Sequence, residues 1–441
     1  MRLFAVIFFS LIPFLSFSQE EKLNDYLFTL YDNNKIMASA TVLKKNSVEF
    51  ERAYGKLNYK NSSSEQVNRY TKYRIGSSSK LFTAVLAMQL VEQGLLKLDD
   101  PLSKYFKDIP NANKISIRQL LNHHSGIADY TRSKNYMDWR LDEHSKESML
   151  AKIRLAGTAF EPGKKGQYSN SNYVLLGYIL EDLSGMNFPL LIQRNICERV
   201  GLNNTYYAMD ATPERNEATS FTYSTNGWAH VPETHFSIPG GAGGMVSNPL
   251  EMCRFISALF NGKLLRESSL QEMLKMEDYF GLGIFEYKTA GRTLYGHTGN
   301  IDGFQSSVMY DPTTQTAVSI CANGVNYNLK DATYDLYKIS QGMPIGTPDV
   351  ASIKIEKEKL DLYTGEFYSN ELGSMLSIDH IDQTLMARLS GQAPFPLVPV
   401  RDTQFRYDLY EVQLDYANKE GTMYNTITLT QGSNVVVFER R

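Results

Sequence analysis

Cysteine is scarce in this chain. Its 441 residues include three, Cys197, Cys253 and Cys321, with no paired metal spacing among them. That excludes a disulfide framework, and the three are read as buried free thiols. An excess of charge of one sign is also missing. Lys plus Arg is 45 and Asp plus Glu is 48, a net charge of -3. No whole-protein basic field is available to gather nucleic acid or an acidic membrane surface. Glycine (30) and proline (15) sit near ordinary usage, which removes collagen and low-complexity disorder. His-Glu-x-x-His, a Walker phosphate loop and the Gly-x-Ser-x-Gly elbow are all absent, so the common zinc-protease, phosphate-loop and α/β-hydrolase signatures do not apply. No metal and no cofactor are expected.

Long apolar runs are missing too, except at the start. Met1-Arg2 precedes Leu3 to Phe17, which is interrupted only by Ser10, Pro13 and Ser16. The run falls short of the roughly 20 residues needed to span a bilayer. Ser16-Phe17-Ser18 offers small residues at the two positions a signal peptidase reads. The expectation is a signal peptide over residues 1–18, cut before Gln19. The mature chain would be exported, periplasmic or secreted, with no membrane span.

Alternating apolar residues predict strands over Ala38 to Leu43 and Val48 to Arg52, with Lys44-Lys45-Asn46 turning between them. Leu81 to Leu96 reads as a helix buried nearly all round, and helical stretches follow at Ile117 to Leu121 and Tyr173 to Leu183. Gln305 to Tyr310 and Ala317 to Ala322 read as a hairpin turned at Asp311-Pro312. Strands early and late with helices between suggest an α+β domain whose sheet joins both ends, residues 19–345. Gly342 to Pro348 has linker composition, and the linker is drawn at 346–355. From 356 to 441 the pattern changes to short alternating runs, among them Leu385, Ala387, Leu389 and Val412, Leu414, Tyr416. These predict a small all-β barrel or sandwich.

The sharpest chemical signal is Ile75-Gly76-Ser77-Ser78-Ser79-Lys80 at the start of the buried helix. Residues three apart share a helix face, so Ser77 and Lys80 point the same way. Ser78 and Ser79 have Leu81 and Phe82 at that spacing and lack a basic partner. A serine hydroxyl needs a neighbour to take its proton, and burial can lower a lysine pKa enough to do so. A second piece is Gln167-Tyr168-Ser169-Asn170, after a loop and before a helix. Tyr168 can relay protons if a nearby ammonium lowers its pKa, and Asn170 offers a donor and an acceptor to a substrate amide. A third is Gly296-His297-Thr298-Gly299-Asn300, read as an edge strand whose glycines let a substrate backbone come close. His123 and His124 are read as packing residues, not metal ligands.

Taken together and in this order, the three motifs resemble the serine β-lactamase and penicillin-binding-protein family. The likeness is strongest to its class C-like branch of β-lactamases, D-aminopeptidases, DD-carboxypeptidases and esterases. Ile117 to Gly126, Phe160-Glu161-Pro162-Gly163 and Gly240 to Gly244 add to it, and the likeness runs from about residue 22 to 340. The resemblance implies a β-lactamase/transpeptidase-like α+β fold, an antiparallel sheet flanked by helices plus an all-helical subdomain. It also implies catalytic roles: Ser77 is acylated, and Lys80 and Tyr168 handle the proton. Asn170, His297, Thr298, Gly299 and Asn300 then line the substrate site, with the backbone N–H groups of Ser77 and Asn300 as oxyanion donors.

His297 stands where many members carry a lysine. A neutral imidazole suits a substrate carboxylate poorly. Peptides, amides or esters, including D-residue and peptidoglycan-related peptides, are therefore expected ahead of β-lactams. Penicillin should acylate slowly and turn over little. The competing readings are a true β-lactamase or DD-carboxypeptidase, and a catalytically silent binding or regulatory protein on the same fold. The segment 356–441, opening with Leu362-Tyr363-Thr364-Gly365-Glu366-Phe367-Tyr368, resembles the lipocalin-like domain appended to some members. That domain would cap the site, mediate assembly or serve as a passive appendage. Oligomeric state is not legible.

Overall fold

A computed structural model describes residues 11–441 apart from 60–64, 209–214, 225–226, 349, 351, 354, 382, 391–393, 408–410, 422 and 433. Most of the proposed signal segment, residues 1–10, lies outside the described residues. Helix α1 (Leu11–Asp32) leads into strands β1 (Ile36–Lys44) and β2 (Ser47–Tyr54). The helices α2 (Ser79–Glu92), α3 (Asn170–Ser184) and α4 (Pro249–Phe260) occupy the middle of the chain. Strands β3 (Phe285–Thr289), β4 (Arg292–Ile301), β5 (Phe304–Asp311) and β6 (Thr316–Val325) follow, and helix α5 (Leu329–Ser340) closes this part.

The main sheet runs β2-β1-β6-β5-β4-β3, every neighbour antiparallel. The expected union of both ends is the β1–β6 pairing, with Ala40 opposite Ile320. Side chains alternate across the sheet. Ile36, Ala38, Ala40 and Val42 pack with Leu23, Leu27 and Leu30 of α1 and Leu336 and Tyr337 of α5. Phe304, Val308, Tyr310 and Cys321 face the other way, into the cluster that holds α2, α3 and α4. All three cysteines are buried and free.

One expectation needs correction. The helix begins two residues before Leu81 and ends at Glu92, not Leu96. Gly94 adopts φ +74°, its N–H reaches Val91 O (3.0 Å) and Leu95 N–H reaches Leu90 O (3.0 Å). That is a Schellman stop, which an apolar count alone does not reveal. Ser79 through Leu90 are nonetheless buried without a break. The His297 stretch is an edge, as the sequence suggests, though the strand that carries it is not an edge along its whole length. Strand β3 covers β4 from Arg292 to Gly296 and pairs no further, so His297 to Ile301 has β5 on one side only.

The last sheet has nine strands and forms a nearly closed barrel. They are β7 (Gly365–Ser369), β8 (Ser374–Ile381), β9 (Thr384–Leu389), β10 (Phe395–Pro396), β11 (Val398–Arg401), β12 (Gln404–Tyr407), β13 (Val412–Glu420), β14 (Met423–Gln431) and β15 (Asn434–Arg440). The order is β10-β9-β8-β7-β15-β14-β13-β12-β11. Its two end strands are separated in the chain by Leu397 alone, so one short segment pairs with β9 and then with β12. Phe367, Leu376, Phe405, Leu414, Ile427 and Phe438 fill the interior. Among the described residues no helix is long and apolar enough to cross a membrane.

Candidate active site

Glycine shapes the turn that carries Ser77. Gly76 has φ +49°, and a Cβ there would lie 2.8 Å from the carbonyl carbon of Asn300. A Cβ on Gly299 would meet Ile75 O at 1.9 Å. The two backbones therefore touch, and only residues without side chains allow it. This brings the backbone of Ser77 beside that of Asn300, the two segments expected to supply oxyanion donors. Ser78 and Ser79 take structural roles. Ser78 Oγ pairs with Ser306 Oγ at 2.7 Å. Ser79 Oγ donates to Gly76 O (2.6 Å) and accepts from Met245 N–H (3.1 Å).

Ser77 Oγ lies 3.1 Å from Lys80 Nζ and accepts from the Tyr168 hydroxyl at 2.6 Å. Lys80 Nζ also donates to Asn170 Oδ1 (2.8 Å) and Ala242 O (2.7 Å), so all three donor positions are used. Lys80 is fully buried. Burial pulls its pKa down to about 7, against an opposing pull from the Asp129 carboxylate. An amine held there is neutral in a large fraction of molecules near neutral pH, which a proton acceptor requires.

Tyr168 is the other partner of Ser77 Oγ. Burial pushes the phenol pKa up, and the bond to Ser77 offsets this only in part. The Lys80 amine lies 4.8 Å from the Tyr168 ring centre. Tyr168 is thus a neutral donor to Ser77 Oγ. His123 packs beneath it, ring centres 4.4 Å apart, and burial holds His123 well below the ordinary imidazole pKa.

Asn170 is committed within the protein. Its Oδ1 accepts from Lys80, and its Nδ2 donates to Asp129 Oδ2 at 3.0 Å. Asp129 in turn caps the turn after it, accepting from Thr131 N–H (3.0 Å) and Oγ1 (2.9 Å). Sequence reasoning did not single out Asp129. Its polar setting after the Ile117 to Gly126 motif was the available signal.

Ser77, Tyr168, His297, Thr298, Gly299 and Asn300 line one pocket of about 500 Å³. Lys80 and Asn170 lie behind it. His297 is buried, with pKa lowered to about 3 by burial and by Lys80. Its Nδ1 sits against Thr298 O, an acceptor, so Nδ1 carries the proton. Nε2 is then a lone pair, and it has no hydrogen-bond partner among the described residues. Sequence reasoning also missed Lys330 of α5 and Glu411 of the barrel, which line the same pocket. Nothing local marks either residue.

The loops after Asp129 and Phe221 are tied to the β4–β5 turn through a buried carboxylate. Asp302 accepts from Arg140 Nη1 (2.8 Å), Thr234 N–H (2.8 Å) and Thr234 Oγ1 (2.7 Å), with Arg74 Nη1 at 3.4 Å.

The chain matches the Beta-lactamase family model over residues 32–341 and belongs to that family. It is 23% identical to the teichoic acid D-alanine hydrolase of Staphylococcus aureus, over 75% of this chain and 80% of the relative. It spans 63% of the length of a Bacillus subtilis relative named as a penicillin-binding protein, at 28% identity. Among solved structures, a D-stereospecific amidohydrolase from Streptomyces superposes with TM-score 0.60 at 25% identity, covering 74% of this chain and 99% of that one. The octameric penicillin-binding protein homologue of Pyrococcus abyssi superposes with TM-score 0.65 at 20% identity, over 95% of this chain and 99% of that one. The second likeness extends through the barrel. The protein is a serine hydrolase of the β-lactamase and penicillin-binding-protein type, with a C-terminal lipocalin-like barrel.

Proposed function

We propose that this chain is an exported hydrolase that cleaves peptide, amide or ester bonds through an acyl-enzyme at Ser77, with D-residue or peptidoglycan-related peptides as substrates. The observation that carries the reading is one hydroxyl held between a buried amine and a neutral phenol. Neutral Lys80 takes the Ser77 proton as Oγ bonds to the carbonyl carbon. The C–N or C–O bond then breaks, the leaving group takes a proton from Tyr168, and the Lys80 ammonium returns one to Tyr168. Water, activated by the same groups, releases the acid and restores Ser77. The N–H groups of Ser77 and Asn300 face the developing oxyanion, where one donor is worth ~3 kcal/mol of barrier. Asn170 and Asp129 position Lys80.

Substrate class follows from His297. With Nε2 as an acceptor and no positive charge, the strand favours an N–H or O–H over a carboxylate. D-configured substrates are supported by the D-stereospecific amidohydrolase and D-alanine hydrolase relatives. Export rests on the apolar run Leu3 to Phe17 with cleavage before Gln19. The division into 19–345, 346–355 and 356–441 is part of the same proposal.

The test is a hydrolysis screen of D- and L-amino-acid amides, peptidoglycan fragments, short esters and β-lactams, with Ser77→Ala alongside. Hydrolysis of D-amides or D-peptides, lost in the variant, supports the reading. Fast turnover of a chromogenic cephalosporin overturns the substrate ranking.

A further inference from the structure

Lys330 is a cation on the wall of the catalytic pocket, and a carboxylate from the other end of the chain sits on it. Glu411 Oε1 accepts from Lys330 Nζ (3.0 Å) and from Asn328 Nδ2 (2.8 Å). Asn328 is fixed for this by capping α5, its Oδ1 accepting from Lys330 N–H (3.0 Å) and Asp331 N–H (3.3 Å). The Lys330 and Glu411 side chains are 39% and 45% exposed. An ion pair that wet adds little to stability, so its weight falls on the potential in the cleft.

The charge arithmetic is informative. His297 supplies no cation, and Lys80 is sealed behind Ser77 with every donor used. Lys330 is the charge on the lining that could receive a substrate carboxylate. Glu411, the one anion among the described residues of that lining, cancels it. The hydrogen bond from Lys330 keeps the Glu411 carboxyl below the usual carboxylate range, so it stays ionised.

We propose that the barrel acts as a charge filter on the hydrolase site: Glu411 masks Lys330, so the cleft disfavours substrates with a free carboxylate and accepts uncharged ones. This rests on Ser77 being the acylated residue. It gives the C-terminal barrel a specificity role, exerted by one side chain placed across the pocket mouth.

The experiment compares kcat/KM on two depsipeptides that differ only at the end of the leaving group, one a free carboxylate and the other its primary amide. The full chain, Glu411→Gln, Lys330→Gln and the double variant are assayed. Glu411→Gln should raise the carboxylate-to-amide ratio about tenfold, the scale of one unit charge in a partly solvated cleft. Lys330→Gln should lower it, because Glu411 is then unopposed, and the double variant should return it to the level of the full chain. An unchanged ratio in Glu411→Gln, with hydrolysis still abolished by Ser77→Ala, overturns the filter and leaves the acyl-enzyme reading standing. An equal rise in the double variant overturns the assignment to Lys330. Hydrolysis that survives Ser77→Ala overturns the underlying reading instead.

Discussion

The hydrolase part and the barrel bury different things. Around Ser77 the interior holds Lys80, His123, His297 and Arg74, together with Asn172, Ser78 and Ser79. In the described residues of the barrel the buried polar residues are Ser369 and Thr384, and the rest are Phe, Leu, Ile, Tyr, Val and one Ala. A buried polar group costs free energy unless it is paired. A fold that carries many of them, wired to one another, is holding a chemical arrangement. The barrel interior needs only packing, and its one contribution to chemistry lies on its surface, at Glu411.

The contrast can be broken most forcefully at its centre. Ser77→Ala should lower kcat/KM by ~10³-fold or more, since the nucleophile has no substitute. A fluorophosphonate should add to Ser77 in the parent chain, and intact-mass spectrometry should find no adduct in the variant. Asp302→Ala leaves two arginines facing an empty site. It should cost ~3–5 kcal/mol, the usual loss when one partner of a buried ion pair is removed, measured by urea unfolding. In the barrel, Leu414→Ala should cost ~2–5 kcal/mol as a cavity mutation. That transition should move in urea while loss of hydrolysis stays at its original concentration. Transitions that move together would mean that the two parts unfold as one unit.

The smallest expected effect concerns pH. Lys80 accepts a proton only when neutral, so kcat/KM should rise with pH through about 7. Asp129 favours the ammonium and raises that pKa. Asp129→Asn should therefore move the rising limb to lower pH, read from initial rates on a neutral ester. A limb that stays fixed would assign it to another group.

How much of this was legible depended on distance along the chain. Ser77 sits on the 3-10 turn that runs into α2 and Lys80 on the first turn of α2, and their spacing of three aligns them. The barrel strands announced themselves by alternation at Leu385, Ala387 and Leu389. What escaped was tertiary. Asp129 matters because Asn170 reaches it across 41 positions, and Asp302 matters because Arg140, Thr234 and Arg74 converge on it. Glu411 reaches the pocket lining because the barrel meets α5 at Lys330. An acidified Tyr168 phenol was one condition for a proton relay. Burial raises that pKa instead, and burial cannot be read from a motif.

The seam at Leu397 carries a consequence of its own. Because the two end strands of the sheet, β10 and β11, are two and four residues long and adjoin through a single residue, the described part of the sheet offers only short backbone rims to a neighbouring molecule. Exposed sheet rims template strand addition between copies. Closure of this kind lets Val435 and Val437 stand half in solvent on β15 without recruiting a second chain into a growing aggregate.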